Sequence, residues 1–199
     1  MADSTEAAAA ERRDAIFRTD LVALIPQLRA FARTLCGDAA AADDLAQDAM
    51  LKAWDARESF ELGTNMKAWT FMILRNQFYS ERRRSWRQSQ LDQEVAERTL
   101  VAVDDPEAPV ALDELRQGLA MLPAEQREAL ILVGAGGFAY EEAAAICDCA
   151  VGTVKSRVSR ARRALQGILE SGAYRRDGSS AGEAMATILA DAERLSQVK

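Results

Sequence analysis

The stretch YEEAAAICDCAVGTVKSRVSRARRAL, residues 140–165, decides the fold class. Tyr140, Ala143, Ala144 and Cys147 share one face of a short helix, and Asp148 to Ala150 supply a tight turn. Val151, Val154, Val158, Ala161 and Leu165 then recur at spacings of three and four, which lines one side of a longer helix. The opposite side carries Thr153, Lys155, Ser156, Arg157, Ser159, Arg160, Arg162 and Arg163. A short helix, a turn and a longer basic helix make a helix-turn-helix, whose second helix a DNA major groove admits. Arginine and lysine donate to guanine acceptors there, while hydroxyls and the remaining cations suit phosphates. The plainer alternative is a solvated basic face on a structural helix. The paired short helix and the small residues at the crossing favour DNA binding.

Upstream of this motif, Leu112, Leu115, Leu119 and Leu122 mark one helix, and Leu130, Ile131 and Val133 mark the next. Pro123 fits the first turn of the latter, where a missing N–H costs little. Gly134-Ala135-Gly136-Gly137 breaks the chain before the motif. A domain of residues 110–169 results. Residues 88–109 are acidic, carry Pro106 and Pro109 and lack sustained periodicity, so they read as a flexible linker with room for a short helix at Leu91 to Leu100.

Residues 19–87 form a separate helical domain. Leu21, Leu24, Ile25, Leu28, Phe31, Ala32 and Leu35 follow helical spacing. Pro26 either kinks that helix or marks its true start, and Gly37 ends it. A second helix runs from Ala40 to Trp54. A third, from Lys67 to about Arg84, is apolar over much of its surface and must be covered by others. Residues 1–18 read as a disordered or short N-terminal extension. Residues 170–199 read as a C-terminal extension with an amphipathic helix through Met185, Ile188, Leu189, Ala192 and Leu195. The fold class is all-α, two small helical domains joined by a tether.

Bulk composition limits the function. Hydrophobic residues are 49% and charged residues 28% of the 199, a soluble globular balance. No apolar run approaches a membrane span, and the N-terminus lacks the pattern of a secretory signal, so the expected location is the cytoplasm. With three cysteines and no histidine, neither a disulfide framework nor a zinc site is expected. No phosphate-binding glycine loop or nucleophile elbow occurs, and the commonest general base is missing. The expectation is a protein that is not an enzyme and needs no cofactor. The net charge of −6 conceals a segregated pattern. Arg82, Arg83, Arg84 and Arg87 make one basic cluster and the helix-turn-helix another, with the acidic linker between them.

In the first domain, Asp44, Gln47, Asp48 and Leu51 fall at i, i+3, i+4 and i+7 on one face. A favourable helix dipole explains Asp43 and Asp44 but not Asp48, deeper in the helix. This face reads as a docking surface for a basic partner helix. The loop Glu58 to Met66, with Phe60, Gly63 and Asn65, leads into the third helix with Trp69, Arg75, Asn76 and Tyr79. Aromatic rings beside cations suit single-stranded DNA, although such rings are more often core.

Together these segments resemble the extracytoplasmic function (ECF) sigma factors of the sigma-70 superfamily, most closely the EcfG-type general stress response group. Asp44-Leu45-Ala46-Gln47-Asp48 through Trp54 is similar to the family's region 2.2, which binds core RNA polymerase. Trp69 to Arg84 resembles regions 2.3 and 2.4, which open and read the −10 element. The loop Phe60 to Met66 matches the position of the loop that captures a flipped-out base. Residues 119–130 and 140–162 resemble region 4, which reads the −35 element. The resemblance implies polymerase binding by Asp44, Gln47, Asp48 and Leu51. It implies −10 contacts by Phe60, Asn65, Arg75, Asn76, Arg82 and Arg83. In region 4 it implies base-facing positions at Lys155, Ser156, Ser159 and Arg160, and phosphate-holding ones at Thr153 and Arg157, with Arg163 on the same basic face. It also implies a small anti-sigma protein as a partner, promoter DNA as the target, and a monomer when free of partners. Two alternatives remain at this point: a sigma-like decoy that sequesters an anti-sigma protein, and a stand-alone helix-turn-helix regulator.

Overall fold

A computed structural model describes residues 2–89 and 110–173, with side chains described for residues 7–87 and 114–173. The first part contains α1 (Ala2–Ala23), α2 (Ile25–Cys36), α3 (Ala39–Asp55), a 3-10 turn (Arg57–Ser59) and α4 (Met66–Ser89). The second contains α5 (Val110–Ala120), α6 (Ala124–Gly134), α7 (Tyr140–Cys147) and α8 (Val151–Ser171). The conjectured helices at 91–100 and 185–195 lie outside the described residues.

Local chemistry accounts for the boundaries. Pro26 sits in the first turn of α2, where it marks a start rather than a kink within one long helix. Gly37 adopts φ 72° and donates its N–H to Arg33 O at 3.0 Å, closing α2. The Asp38 carboxylate then accepts from the Ala41 N–H at 2.8 Å and starts α3. In the second domain the Arg127 guanidinium donates to Ala120 O at 3.0 Å, which ties the α5–α6 corner. Asp148 takes the left-handed conformation, φ 50°, in the turn of the helix-turn-helix.

Of the two readings of residues 1–18, a disordered or a short N-terminal extension, the described residues form a helix: α1 runs from Ala2 into the first domain. Phe17 and Leu21 are both buried, four residues apart on one face. Phe17 lies 5.7 Å from Phe60 and 6.1 Å from both Trp54 and Trp69, ring centre to ring centre. Beginning the apolar pattern at Leu21 leaves out its partner Phe17, and the Ala-rich run ahead of it has high intrinsic helix propensity.

The two domains share one core. Phe31 of α2 stacks on Phe71 of α4 at 4.9 Å, and Phe71 meets Phe138 of the second domain edge-on at 5.0 Å. Phe138 lies in the glycine-rich connection between α6 and α7. Gly137 has φ 69° there, and a Cβ on Gly136 would come within 2.6 Å of Leu132 O and 3.0 Å of the Phe138 ring. The glycines therefore let the chain fold back on α6 and aim Phe138 at α4. The ammonium of Lys67 reaches over that ring and donates to Gly136 O at 2.7 Å. Phe138→Ala should lower unfolding stability by about 3–5 kcal/mol, the usual cost of emptying a buried aromatic site. A urea titration showing a loss below about 1 kcal/mol would mean that the ring does not bridge the cores.

Candidate nucleic-acid interface

The helix-turn-helix forms as its apolar spacing requires. Val154, Val158 and Ala161 of α8 are buried, as are Ala143, Ala144, Ile146 and Cys147 around α7. Lys155, Ser159, Arg160, Arg162 and Arg163 project from the other face. Tyr140, Lys155, Ser159, Arg162 and Arg163 border a shallow, open cavity of about 330 Å³. Thr153 and Ser156 are half-buried, and the Ser156 hydroxyl donates to Thr153 O at 2.9 Å. Arg157 differs from its neighbours. It turns back to an ion pair with Glu125 of α6 and is held in the domain instead of pointing outward.

The acidic face of α3 is also presented. Asp44, Gln47, Asp48 and Leu51 are all exposed, and Leu51 at 56% is among the most exposed large apolar side chains described. An isolated leucine on a surface is ordinary, but one set among carboxylates suits a partner that is basic and apolar together. Asp48 accepts from Gln77 Nε2 at 2.9 Å, which orients it from α4. Neighbouring Asp43 is bound by Arg29, with Nε to Oδ1 at 2.8 Å, and this hydrogen bond holds its carboxyl below the usual range.

The expected −10 residues divide into three groups. Asn76, Arg82 and Arg83 are exposed on α4. Phe60 is only 4% exposed and packs on Phe17 and Trp69, so its ring supports the loop from behind and offers no surface to DNA here. Asn65 and Arg75 are engaged by the second domain. Asn65 starts α4 by accepting from the Ala68 N–H at 3.0 Å, while its amide donates to Glu142 of α7 at 2.5 Å. The other oxygen of Glu142 accepts from the Ala139 N–H at 2.8 Å and fixes the start of α7.

Arg75 donates to Glu128 of α6 at 2.7 Å, and Tyr79 OH donates to the other carboxylate oxygen at 3.2 Å. The Glu128 side chain has 0% exposure and that of Arg75 only 14%, so this pair is withdrawn from water. Burial opposes the charge on Arg75, but the adjoining Glu128 carboxylate and its hydrogen bond outweigh it, and the guanidinium pKa is raised. Burial and then Glu128 push the Tyr79 phenol up from 10.0 to about 12. The protonated phenol therefore adds its full stabilisation below about pH 10 and loses it as pH climbs towards 12. The Cys147 thiol, beside this cluster, is likewise pushed up to about 12, by burial first and Glu128 second.

Sequence reasoning missed Glu128, Glu142, Lys67 and Phe138 as interdomain residues. Glu128 carried a signal: it precedes buried Leu132 by four residues, so a carboxylate stands in the apolar stripe of α6. Among the described residues no cluster of potential metal ligands occurs, and no helix is long and apolar enough to cross a membrane.

Comparison with known proteins settles the family. Residues 21–88 match the model of Sigma-70 region 2, and residues 112–165 match that of Sigma-70, region 4. The chain belongs to the ECF sigma factors. It is 49% identical over 152 residues to the ECF RNA polymerase sigma factor EcfG of Rhodopseudomonas palustris, covering 76% of this chain and 84% of that one. It is 36% identical over 135 residues to the ECF RNA polymerase sigma-E factor of Escherichia coli K12, covering 61% of this chain and 70% of that one. Among solved structures, it matches the sigma factor RpoE in complex with the anti-sigma factor NepR from Bartonella quintana. That match has a TM-score of 0.70 and 48% identity, and covers 77% of this chain and 96% of the other. Sigma factors are initiation factors without catalytic activity of their own, which bind core RNA polymerase and direct it to promoters.

The geometry of this sigma factor gives a chemical test of domain closure. Arg75 lowers the Cys147 pKa, so removing Arg75 from a closed molecule would slow alkylation of the thiol. It would also leave Glu128 buried without its cation, at a cost of about 3–5 kcal/mol. Arg75→Ala should therefore speed reaction of Cys147 with iodoacetamide at pH 8 by separating the domains. A slower or unchanged rate would mean that this ion pair does not hold them together.

Proposed function

We propose that this sigma factor serves stress-response promoters in the cytoplasm and alternates between a closed form and an open form bound to polymerase. In the open form α3 docks on core polymerase through Asp44, Gln47, Asp48 and Leu51. Asn65, Arg75, Asn76, Arg82 and Arg83 then hold the melted −10 strand, with Phe60 behind the loop. Lys155, Ser156, Ser159 and Arg160 face bases of the −35 duplex, and Thr153 and Arg163 face its phosphates. Arg157 keeps α8 on α6 through Glu125, a role distinct from the phosphate contact its position implies. One observation carries this reading. The acidic face of α3 and the basic face of α8 stand open, while Asn65 and Arg75 are bonded to Glu142 and Glu128. Capture of single-stranded DNA by those two residues requires the domains to part.

An anti-sigma protein fits this cycle. The similar RpoE chain is bound to NepR, and the match between the two covers more of this chain than either domain alone. A likeness that spans both domains supports the same kind of control here. Against the decoy reading, Lys155, Arg160 and Arg163 remain exposed on an intact reading helix.

Run-off transcription with purified core polymerase on a promoter library should give initiation at defined start sites, and its complete absence would refute the proposal. In that assay Asp48→Ala should reduce holoenzyme formation and be compensated by more polymerase. Wild-type output across a polymerase titration would remove Asp48 from the docking face. Arg160→Ala should weaken discrimination within the −35 element by about 1–3 kcal/mol. Equal activity on mutated and native −35 sequences in the wild-type protein would displace α8 as the reader.

A further inference from the structure

We propose that Arg13 of α1 is a positioning residue for promoter opening, fixing the loop that precedes α4. The inference rests on the reading that this loop receives the melted −10 strand. Apart from the Asn65–Glu142 hydrogen bond, the loop is exposed on its outer side. Glu61, Gly63, Thr64 and Asn65 are exposed, Gly63 has φ 91°, and the turn is closed by Thr64 Oγ1 donating to Glu61 O at 2.7 Å. Its base is held from α1. A single guanidinium nitrogen of Arg13, Nη2, lies 2.8 Å from Phe60 O and 3.3 Å from both Arg57 O and Glu58 O. That nitrogen has two hydrogens, so the Phe60 carbonyl takes the strong bond and the other two share the second. Arg57 O already accepts the Phe60 N–H at 3.2 Å, and all three carbonyls lie at the C-terminal end of the 3-10 turn, where a cation is favoured.

The neighbouring residue completes the attachment. Asp14 accepts from Arg57 Nε at 3.0 Å, while the Arg57 guanidinium lies 4.8 Å from the centre of the Trp54 ring and donates to Trp54 O at 3.2 Å. One turn further on, Phe17 presses on Phe60 from the same helix. The backbone from Arg57 to Phe60 is thus set by α1, and the exposed loop begins at the next residue. A helix with no residue among the expected DNA contacts therefore controls how those contacts are presented.

The test uses the full-length protein reconstituted with core polymerase. Arg13→Ala should leave holoenzyme formation unchanged, because the α3 face lies elsewhere. It should reduce open complexes on duplex promoter, read by permanganate reactivity of −10 thymines, by about tenfold, the scale of one charge-assisted hydrogen bond. Preference among −10 base substitutions should flatten, and a template mispaired across −10 should recover most of the loss. Arg13→Lys should restore most of the activity, because an ammonium at this site can still donate to Phe60 O. A role confined to stability would lower the melting temperature and leave base preference intact, which would overturn the proposal. Thr64→Ala, on the exposed loop, separates the two possible failures. If it impairs opening and Arg13→Ala does not, the loop reading stands and the positioning role of Arg13 is wrong. If neither Thr64→Ala nor Arg13→Ala has an effect, the loop reading itself falls and takes the proposal with it.

Discussion

A carboxylate without access to water has to be met by a cation and by hydrogen-bond donors, and Glu128 finds both on the other domain. Arg75 and Tyr79 belong to α4, the helix proposed above to hold opened promoter DNA. The requirement acts in both directions. Glu128 needs the first domain to neutralise it, and while it is met, Arg75 is unavailable to phosphate. Such pairs add little net stability compared with apolar packing, because desolvation offsets most of the attraction. Their value lies in geometry: a mismatched docking would strand a charge. The apolar contribution comes from the ring series Phe31, Phe71 and Phe138, and the ion pair fixes the register in which those rings meet.

The same economy appears at the loop into α4. Asn65 starts that helix with one end of its amide and reaches Glu142 with the other, and Glu142 in turn fixes the start of α7. Two helix starts, one in each domain, are thereby joined by one hydrogen bond. Separating the domains breaks the join and leaves both starts intact, because the capping bonds lie within each domain. The capping bonds themselves therefore do not oppose separation of the domains. The glycines before α7 serve the same end, since they let Phe138 fold down on α4 without distorting α6.

The charge pattern divides the labour. Net charge is −6, yet α8 presents a cationic face and α3 an anionic one. Segregation of this kind steers each surface to a different partner, whatever the total. The surfaces proposed to meet polymerase and duplex DNA are exposed in this arrangement. The residues proposed to meet single-stranded DNA include Asn65 and Arg75, the two bonded to the second domain.

Much of this was legible in the amino-acid sequence. Helical periodicity located α2 to α8 to within a few residues. Pro26, Gly37 and Pro123 punctuated them as their backbone preferences dictate. The exposed faces of α3 and α8 also followed, because amphipathic spacing separates what is buried from what is not. The sequence is silent where a residue's surroundings depend on a distant segment. Phe60 reads as a candidate base contact until Phe17 covers it, and Arg157 as a phosphate ligand until Glu125 claims it. Local pattern determined which side of each helix faces inward, since that depends only on spacing along one chain segment. Tertiary structure alone decided that the two inward faces are continuous, because burying Glu128 against Arg75 requires residues 53 positions apart to meet, and no periodicity encodes that distance.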